Sequence, residues 1–264
     1  MSFWKLAIRA AADEKAKLAA TLAPKRAVQD TSLPLGGHIG GYVKVDKAAL
    51  FAASMLGSFV VPPETGECVI AAISRVRLDD WPESLGVYRY YLATGDDGGK
   101  ERYVQAMVRD GKLVEAVYYT SLTRLITGDP EVQKYYSGEL DKEGIGDREW
   151  VFPRSDLEGM LTAEQFATLG KDVEGITWQR AIGDGDFHLP LHGVETRIDD
   201  SVGIRGISQE VWCMPHVRPL EGGLVEHLFI SLEVVKSHDG KQEDDVHVDF
   251  MVGMPLALTD FQII

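Results

Sequence analysis

The sequence has very little cysteine. Its 264 residues include only two, Cys68 and Cys213, which lie far apart in the chain. A disulfide-stabilised secreted domain or a zinc ribbon needs several cysteines at short intervals. We therefore expect both cysteines to be reduced and to pack in the interior.

Long apolar runs are also missing. The longest stretch without a charged side chain is residues 48–63, whereas a membrane-spanning helix needs about 20 consecutive apolar residues. The first residues lack the apolar stretch and small-residue cleavage site of a secretory signal. The sequence therefore predicts a cytoplasmic protein in which residues 48–63 are buried core.

Positive charge is scarce. The chain has 41 acidic and 27 basic side chains, which gives a formal net charge of −14. Affinity for nucleic acid depends on clustered Lys and Arg side chains that displace counterions. We therefore expect no nucleic-acid partner.

The basic residues are concentrated at the N-terminus. Residues 1–26 carry a net charge of +4, so the remainder carries −18. Helical spacing places the apolar residues of this segment on one stripe, and Pro24 is expected to end the helix. We predict a basic amphipathic helical tail over residues 1–30 that contacts a protein partner, an anionic membrane surface such as the inner membrane, or the acidic body of the chain itself. The residues expected to make this contact are Trp4, Lys5, Ile8, Arg9, Leu18 and Leu22.

From residue 39 onward the apolar pattern changes to period two, which indicates β-strands. The sequence Arg109-Asp110-Gly111-Lys112 predicts a tight hairpin, because Asp-Gly tolerates the positive φ angles that such a turn needs. No helix of crossover length lies between consecutive strands, so antiparallel meanders are expected. Strands are predicted at residues 69–78, 86–93, 101–109, 112–119, 177–182, 192–198, 204–214, 224–235 and 246–252.

Two short helices are predicted among the strands. One follows the cap Asp129-Pro130 and ends at Gly138, and the other begins with a capping-box pattern at Thr162 and ends at Gly170. The sequence thus predicts a β-dominated α+β fold of antiparallel meander sheets, arranged as a sandwich or an open barrel. We expect one β-rich domain over residues 31–264, with two β subdomains that divide near residues 140–160 as the alternative.

Several motifs resemble those of a bacterial protein family. These are LPLGGHIGG at residues 33–41 followed by Val45-Asp46, YRYY at residues 88–91 with Asp96-Asp97, EHLFISLE at residues 226–233 and VGMPL at residues 252–256. Over most of residues 33–264 the chain resembles the YjfK-like proteins of unknown function. The resemblance implies no established activity and carries over no catalytic residue. It does imply an association with membrane-stress proteins, since members of that family are encoded beside phage-shock-like proteins.

Established catalytic signatures are absent from the sequence. The Gly-rich segment at residues 36–41 lacks the Lys-Ser/Thr ending of a phosphate-binding loop, and no Gly-x-Ser-x-Gly motif occurs. Cys213 and His216 are three residues apart on one predicted strand, so their side chains are expected to point to opposite faces. We expect no cofactor.

Two groups of residues still have the chemistry of a site. Carboxylates and imidazoles that could bind a divalent metal are clustered in one acidic loop, at Asp184, Asp186, His188 and His192. The second group lies on the last predicted hairpin, where Asp245, His247 and Asp249 alternate with apolar residues and therefore share one face of a strand.

General acid-base catalysis is one interpretation of the hairpin group, because a carboxylate raises the pKa of a neighbouring imidazole and orients it. Glu233, and also His227, lie on the matching face of the preceding strand. The favoured interpretation is a solvated polar face on a half-exposed sheet. Catalytic candidates are therefore His247, Asp249 and Glu233.

Two hypotheses about function follow. The preferred one is a non-enzymatic binding module with a protein partner, linked to envelope or membrane stress through its N-terminal helix. The alternative is a hydrolase-like enzyme that uses a metal or His/Asp general acid-base chemistry.

Overall fold

A computed structural model describes residues 34–79, 81–94, 100–140, 142–199, 206–235, 245–259 and 261–264. The predicted N-terminal contact residues Trp4, Lys5, Ile8, Arg9, Leu18 and Leu22 lie outside these ranges. The strands are β1 (Tyr42–Lys44), β2 (Glu67–Leu78), β3 (Leu85–Leu92), β4 (Arg102–Arg109), β5 (Lys112–Ile126), β6 (Glu149–Pro153), β7 (Gly175–Arg180), β8 (Leu191–Ile198), β9 (Gly206–Pro219), β10 (Val225–Val235), β11 (Asp245–Pro255) and β12 (Gln262–Ile263). The α-helices are α1 (Lys47–Met55), α2 (Pro130–Ser137), α3 (Arg154–Met160) and α4 (Ala163–Thr168).

Eight of the strands form a closed antiparallel barrel. Their order is β2-β3-β4-β5-β11-β10-β9-β8, and β8 closes the barrel because it pairs with both β9 and β2. The β-dominated α+β fold of antiparallel meanders is therefore confirmed, in the form of a barrel that is closed rather than open. Strands from both sides of residues 140–160 belong to this one barrel.

Two short extensions of the sheet leave the barrel. β1 and β12 continue from the first residues of β2, and β7 and β6 continue from the last residues of β9. The hairpin between β4 and β5 has the predicted turn, since Asp110 and Gly111 both have positive φ angles of 51° and 75°. Such φ angles match the twist of a two-residue hairpin.

The outer wall of the barrel supports the largest apolar core. The four helices and the paired strands β6 and β7 cover part of this wall and bury aromatic side chains such as Phe152, Trp178 and Phe250. Ring centroids of Phe152 lie 5.7 Å from Trp178 and 5.4 Å from Phe250. Cys68 and Cys213 are both buried and free, as predicted.

The prediction that residues 48–63 are buried core is wrong for helix α1. Asp46 caps the helix through the backbone N–H groups of Ala48 and Ala49. Within the helix only Leu50 and Ala53 are buried, because only one side of it packs on the sheet. None of the helices in the described part of the chain is long and apolar enough to cross a membrane.

Candidate functional site

The three catalytic candidates meet inside the barrel. His247 on β11 is the cross-strand neighbour of Glu233 on β10. Its Nε2 atom lies 3.3 Å from Oε2 of Glu233 and 3.8 Å from Oδ2 of Asp249. Only 4–7% of the surface of each of these residues is exposed. The favoured interpretation of a solvated polar face is therefore wrong, because barrel closure buries the face that an open sheet would expose.

Two other residues of the predicted polar face lie apart from this group. Asp245 is the exposed first residue of β11, where it pairs with Val235 of β10. His227 pairs with Gly253 and is six residues before Glu233, which corresponds to about 20 Å along a strand. His227 therefore does not join His247.

Asp249 is bound by an arginine that the sequence did not point to. The Nε and Nη2 atoms of Arg124 donate to the two carboxylate oxygens of Asp249, the second contact at 2.5 Å. This is the paired geometry in which a guanidinium binds a carboxylate most strongly. Arg124 faces inward because an irregularity in register beside Leu122 changes the alternation of β5.

The carboxylate of Glu233 accepts hydrogen bonds from two uncharged side chains. Gln209 donates to Oε2 of Glu233 at 2.6 Å, and Ser231 donates to Oε1 at 2.9 Å. The same Gln209 side chain reaches Glu195 at 3.2 Å, so it links the two carboxylates.

Glu195 forms the second centre of the barrel interior. It accepts hydrogen bonds from the hydroxyls of Ser74 and Tyr91, and from Arg89, whose Nη1 atom is 2.6 Å from Oε2. Arg89 is only 2% exposed, and the same Nη1 atom is 3.8 Å from Glu233. The Arg89 guanidinium also lies 5.1 Å from the ring centre of Tyr103 and 5.2 Å from that of Phe229.

These residues form one connected group, which we call the interior network. When His247 is protonated, the network contains three cations and three anions: Arg89, Arg124, His247, Glu195, Glu233 and Asp249. Buried charges are tolerated when they are paired and hydrogen-bonded in this way. The network therefore explains how a closed barrel with so many ionisable groups inside can fold.

The pKa of His247 reflects this balance. Burial alone would lower the pKa of His247, but the hydrogen bond and charge of Glu233, together with the charge of Asp249, raise it above 6.5. For Glu233, burial acts to raise the pKa, yet His247, Arg89 and Arg124 lower it to about 2. Both effects favour an ion pair between protonated His247 and ionised Glu233.

We expect this ion pair to stabilise the protein more at low pH than at high pH. When folding raises the pKa of a histidine, the resulting stabilisation is fully present at pH values below the pKa of the unfolded chain, about 6.5. It is lost as the pH rises through the pKa of the folded protein. Urea unfolding of the wild type and of His247→Gln should therefore differ more at pH 6 than at pH 9. A difference that stays constant between these pH values would contradict the assignment.

The interior network comes closest to solvent at one end of the barrel. The strands β10 and β11 pair as far as Val235 and Asp245, and His247 is two residues from that end. Near it, the side chains of Arg124 and Glu101 are 19% and 28% exposed, and their charged atoms are 3.7 Å apart.

The acidic loop does not bring its four metal-ligand candidates together. The Arg180 guanidinium donates to the backbone carbonyls of Asp184, Gly185 and Asp186, so the loop wraps around an internal cation. His188 contacts the carbonyl of Leu189 through Nδ1 at 2.7 Å.

The fourth candidate, His192, lies on β8 and is engaged elsewhere. Its Nδ1 atom is 2.6 Å from the carboxylate of Asp79, and its ring lies 4.7 Å from that of Trp212. Within the described ranges, the group of three or more His, Cys, Asp or Glu side chains with metal-ligand spacing is Glu233, His247 and Asp249, whose ligand atoms lie within 4.8 Å of one another.

Cys213 and His216 point to opposite faces of β9, as predicted. Cys213 lies among the aromatic side chains inside the barrel, where burial raises the pKa of its thiol to about 12. His216 is fully buried in the outer core, 6.4 Å from the ring of Trp150, and burial lowers its pKa to about 4. The thiol is therefore protonated and has no histidine beside it.

Comparison with protein-family models, with curated proteins and with solved structures finds no match to this chain. The resemblance to the YjfK-like proteins remains a prediction from the sequence motifs.

Proposed function

We propose that this chain is a non-enzymatic binding module that recognises a protein partner through the outer face of helix α1. The observation that carries the proposal is an exposed apolar stripe. Phe51 and Met55 are 58% and 74% exposed, and they share one side of the helix with Ala48 and Ala52, which are also exposed. Single exposed apolar residues are common on protein surfaces, but a contiguous stripe of this kind is typical of an interaction site.

The stripe lies outside the apolar core. Helix α1 packs on the sheet through Leu50 and Ala53, and its N-terminus is capped by Asp46. The segment after the helix is fixed separately, because the buried carboxylate of Glu226 accepts hydrogen bonds from the hydroxyl of Ser58 and the N–H of Phe59. The outer face of α1 is therefore available to a partner without loss of core contacts.

The partner that fits this face is an amphipathic helix with a basic polar side. Apolar stripes on two helices pack side by side, as in other helix-binding surfaces. Outside residues 1–26 the chain carries a net charge of −18, so long-range attraction favours a basic polar side on the partner. The chain's own residues 1–26 have the same apolar and basic pattern, so they are an internal competitor for the face.

The interior network supports a non-enzymatic role. His247 is the candidate base, but its two neighbouring carboxylates already bind Arg124, Arg89 and Gln209. A general base needs a free lone pair within reach of a substrate proton. Burial and two carboxylates that raise the pKa of His247 both work against that requirement.

Site-specific photo-crosslinking tests the proposal. A photoreactive amino acid replaces Met55 in the full chain, expressed in bacterial cells, and Val151 is the control position because it is a similarly exposed apolar residue on β6. We expect a discrete adduct with another protein at position 55 and none at position 151, and Phe51→Asp should abolish the adduct. Adducts only within the chain or only between two copies of it, equal adducts at both positions, or no adduct would overturn the proposal.

Membrane contact by the N-terminal segment is a separate part of the proposed function. It predicts that the full chain floats with liposomes of anionic lipid at low salt, that high salt releases it, and that a chain starting at Ala27 does not float. Flotation of both versions to the same extent, or of neither, would contradict this part.

The alternative function is a metal-dependent or His/Asp general acid-base hydrolase. The observation that favours it is the ligand spacing of Glu233, His247 and Asp249. A divalent ion there would have to displace the Arg124 guanidinium from Asp249, so we expect the purified protein to contain no stoichiometric metal. A stoichiometric zinc or manganese content by elemental analysis that is lost in His247→Gln would support the alternative instead.

A further inference from the structure

A groove on the outer wall of the barrel has the chemistry of a second binding site. It has a volume of about 270 Å³ and lies where β2, β3 and β8 run side by side. The side chains that line it are Ile73, Arg75, Arg77, Tyr88, Thr196 and Ile198.

The register of the three strands sets the arrangement of the groove. Arg75 lies between Tyr88 on one neighbouring strand and Thr196 on the other. Ile73 lies two residues before Arg75 on the same face of β2 and pairs with Ile198. Arg77 lies two residues after Arg75 on that face. The groove thus has an apolar end, an aromatic side and two guanidinium groups.

Gly86 shapes the aromatic side of the groove. A Cβ atom at this position would lie 2.5 Å from Cε2 of Tyr88, so the tyrosine ring lies flat over the glycine. In this position the ring centre is 5.9 Å from the Arg75 guanidinium, which is within the range of a cation–π contact.

The two arginines of the groove differ from three other arginines of the barrel, which are neutralised by carboxylates. Arg89, Arg124 and Arg218 each bind a carboxylate at close range. Within the described residues, neither Arg75 nor Arg77 has a carboxylate partner, and the buried Nε atom of Arg75 has no hydrogen-bond partner. A buried donor without an acceptor is destabilising unless a ligand or a water molecule supplies one.

We propose that this groove binds a small organic anion, a carboxylate or a phosphate monoester with a planar apolar body. The anionic group pairs with the forked donors of Arg75 and Arg77, which match carboxylate and phosphate geometry. The planar body packs on the ring of Tyr88 and against Ile198. The hydroxyl of Thr196 supplies a further polar contact.

A titration of the full chain with phenyl phosphate, benzoate and inorganic phosphate tests this proposal. Isothermal calorimetry is expected to show a Kd of about 1 mM or tighter for the two aromatic anions. Because inorganic phosphate has no planar body, it should bind at least about tenfold more weakly than phenyl phosphate.

The variants distinguish the groove from general charge effects. Arg77→Gln should weaken binding of both aromatic anions at least about tenfold, and Tyr88→Leu should weaken them while leaving inorganic phosphate unchanged. Arg109→Gln is the matched control, because this exposed arginine at the last residue of β4 does not line the groove. Absence of binding by both aromatic anions, or equal losses in Arg77→Gln and Arg109→Gln, would overturn the proposal.

Discussion

Arg89→Met is expected to lower the free energy of unfolding by about 3–5 kcal/mol. Arg89 is almost fully buried and is the cation between Glu195 and Glu233. Methionine fills a similar volume but leaves one carboxylate inside the barrel without its counter-ion. Chemical denaturation of the wild type and the variant at pH 7 measures the difference.

The double variant Arg89→Met/Glu195→Gln separates an ion-pair effect from a packing effect. If the loss comes from an unpaired carboxylate, neutralising Glu195 should recover part of the stability, because residues in one network are coupled by about 0.5–3 kcal/mol. Arg109→Met controls for loss of an arginine at an exposed position and should change stability by less than about 0.5 kcal/mol. An Arg89→Met variant as stable as this control would contradict the interior network.

His216→Leu is expected to make the protein more resistant to acid. The pKa of His216 is lowered from 6.5 to about 4 because the ring is buried. The folded state therefore favours neutral His216, whereas the unfolded chain takes up a proton at His216 near pH 6.5. As the pH falls from 6.5 to about 4, this difference lowers the free energy of unfolding. At 1.36 kcal/mol per pH unit, the wild type should lose about 3 kcal/mol more than the variant over this interval.

The measurement for His216 is the pH dependence of urea unfolding between pH 7 and pH 4. The His247→Gln variant serves as a comparison of opposite sign, because the pKa of His247 is raised and that of His216 is lowered. A difference between wild type and His216→Leu that does not grow as the pH falls would show that folding does not lower the pKa of His216.

Much of the fold follows from local sequence patterns. The Asp110-Gly111 hairpin and the capping box at Thr162 have unambiguous chemistry, and the structure contains both. Closure of the barrel does not follow from such patterns, because it depends on β8 pairing with β2, a strand more than 100 residues earlier. Helix α1 was missed because its alanine-rich and apolar sequence fits a buried run as well as a helix with one exposed face.

The interior network was predictable only in part. Alternation along β11 correctly placed His247 and Asp249 on one face, and hairpin pairing placed Glu233 beside them. Their burial was not predictable, since it results from barrel closure. Arg124 was missed because the irregularity in β5 changes which residues face inward, and the predicted strand ended before it.

One signal for the second half of the network was present in the sequence. Arg89 lies between apolar and aromatic residues on β3, in the sequence VYRYYL at residues 87–92. A charged side chain on the same face as Val87 and Tyr91 indicates an arginine with a buried counter-ion. Its partner Glu195 could not be identified, because β3 and β8 do not pair with each other. They lie on either side of β2, and the two side chains meet inside the barrel.

The central claim is that the interior network maintains the fold while the outer face of α1 binds the partner. The most direct measurement is the yield of the Met55 photo-crosslink in His247→Gln and in Phe51→Asp, both compared at a temperature where each variant is folded. We predict an unchanged yield for His247→Gln and a decrease of at least about tenfold for Phe51→Asp, as expected for loss of a central contact worth more than about 1.4 kcal/mol. The opposite result, with loss of the adduct in His247→Gln and an unchanged yield in Phe51→Asp, would contradict the account.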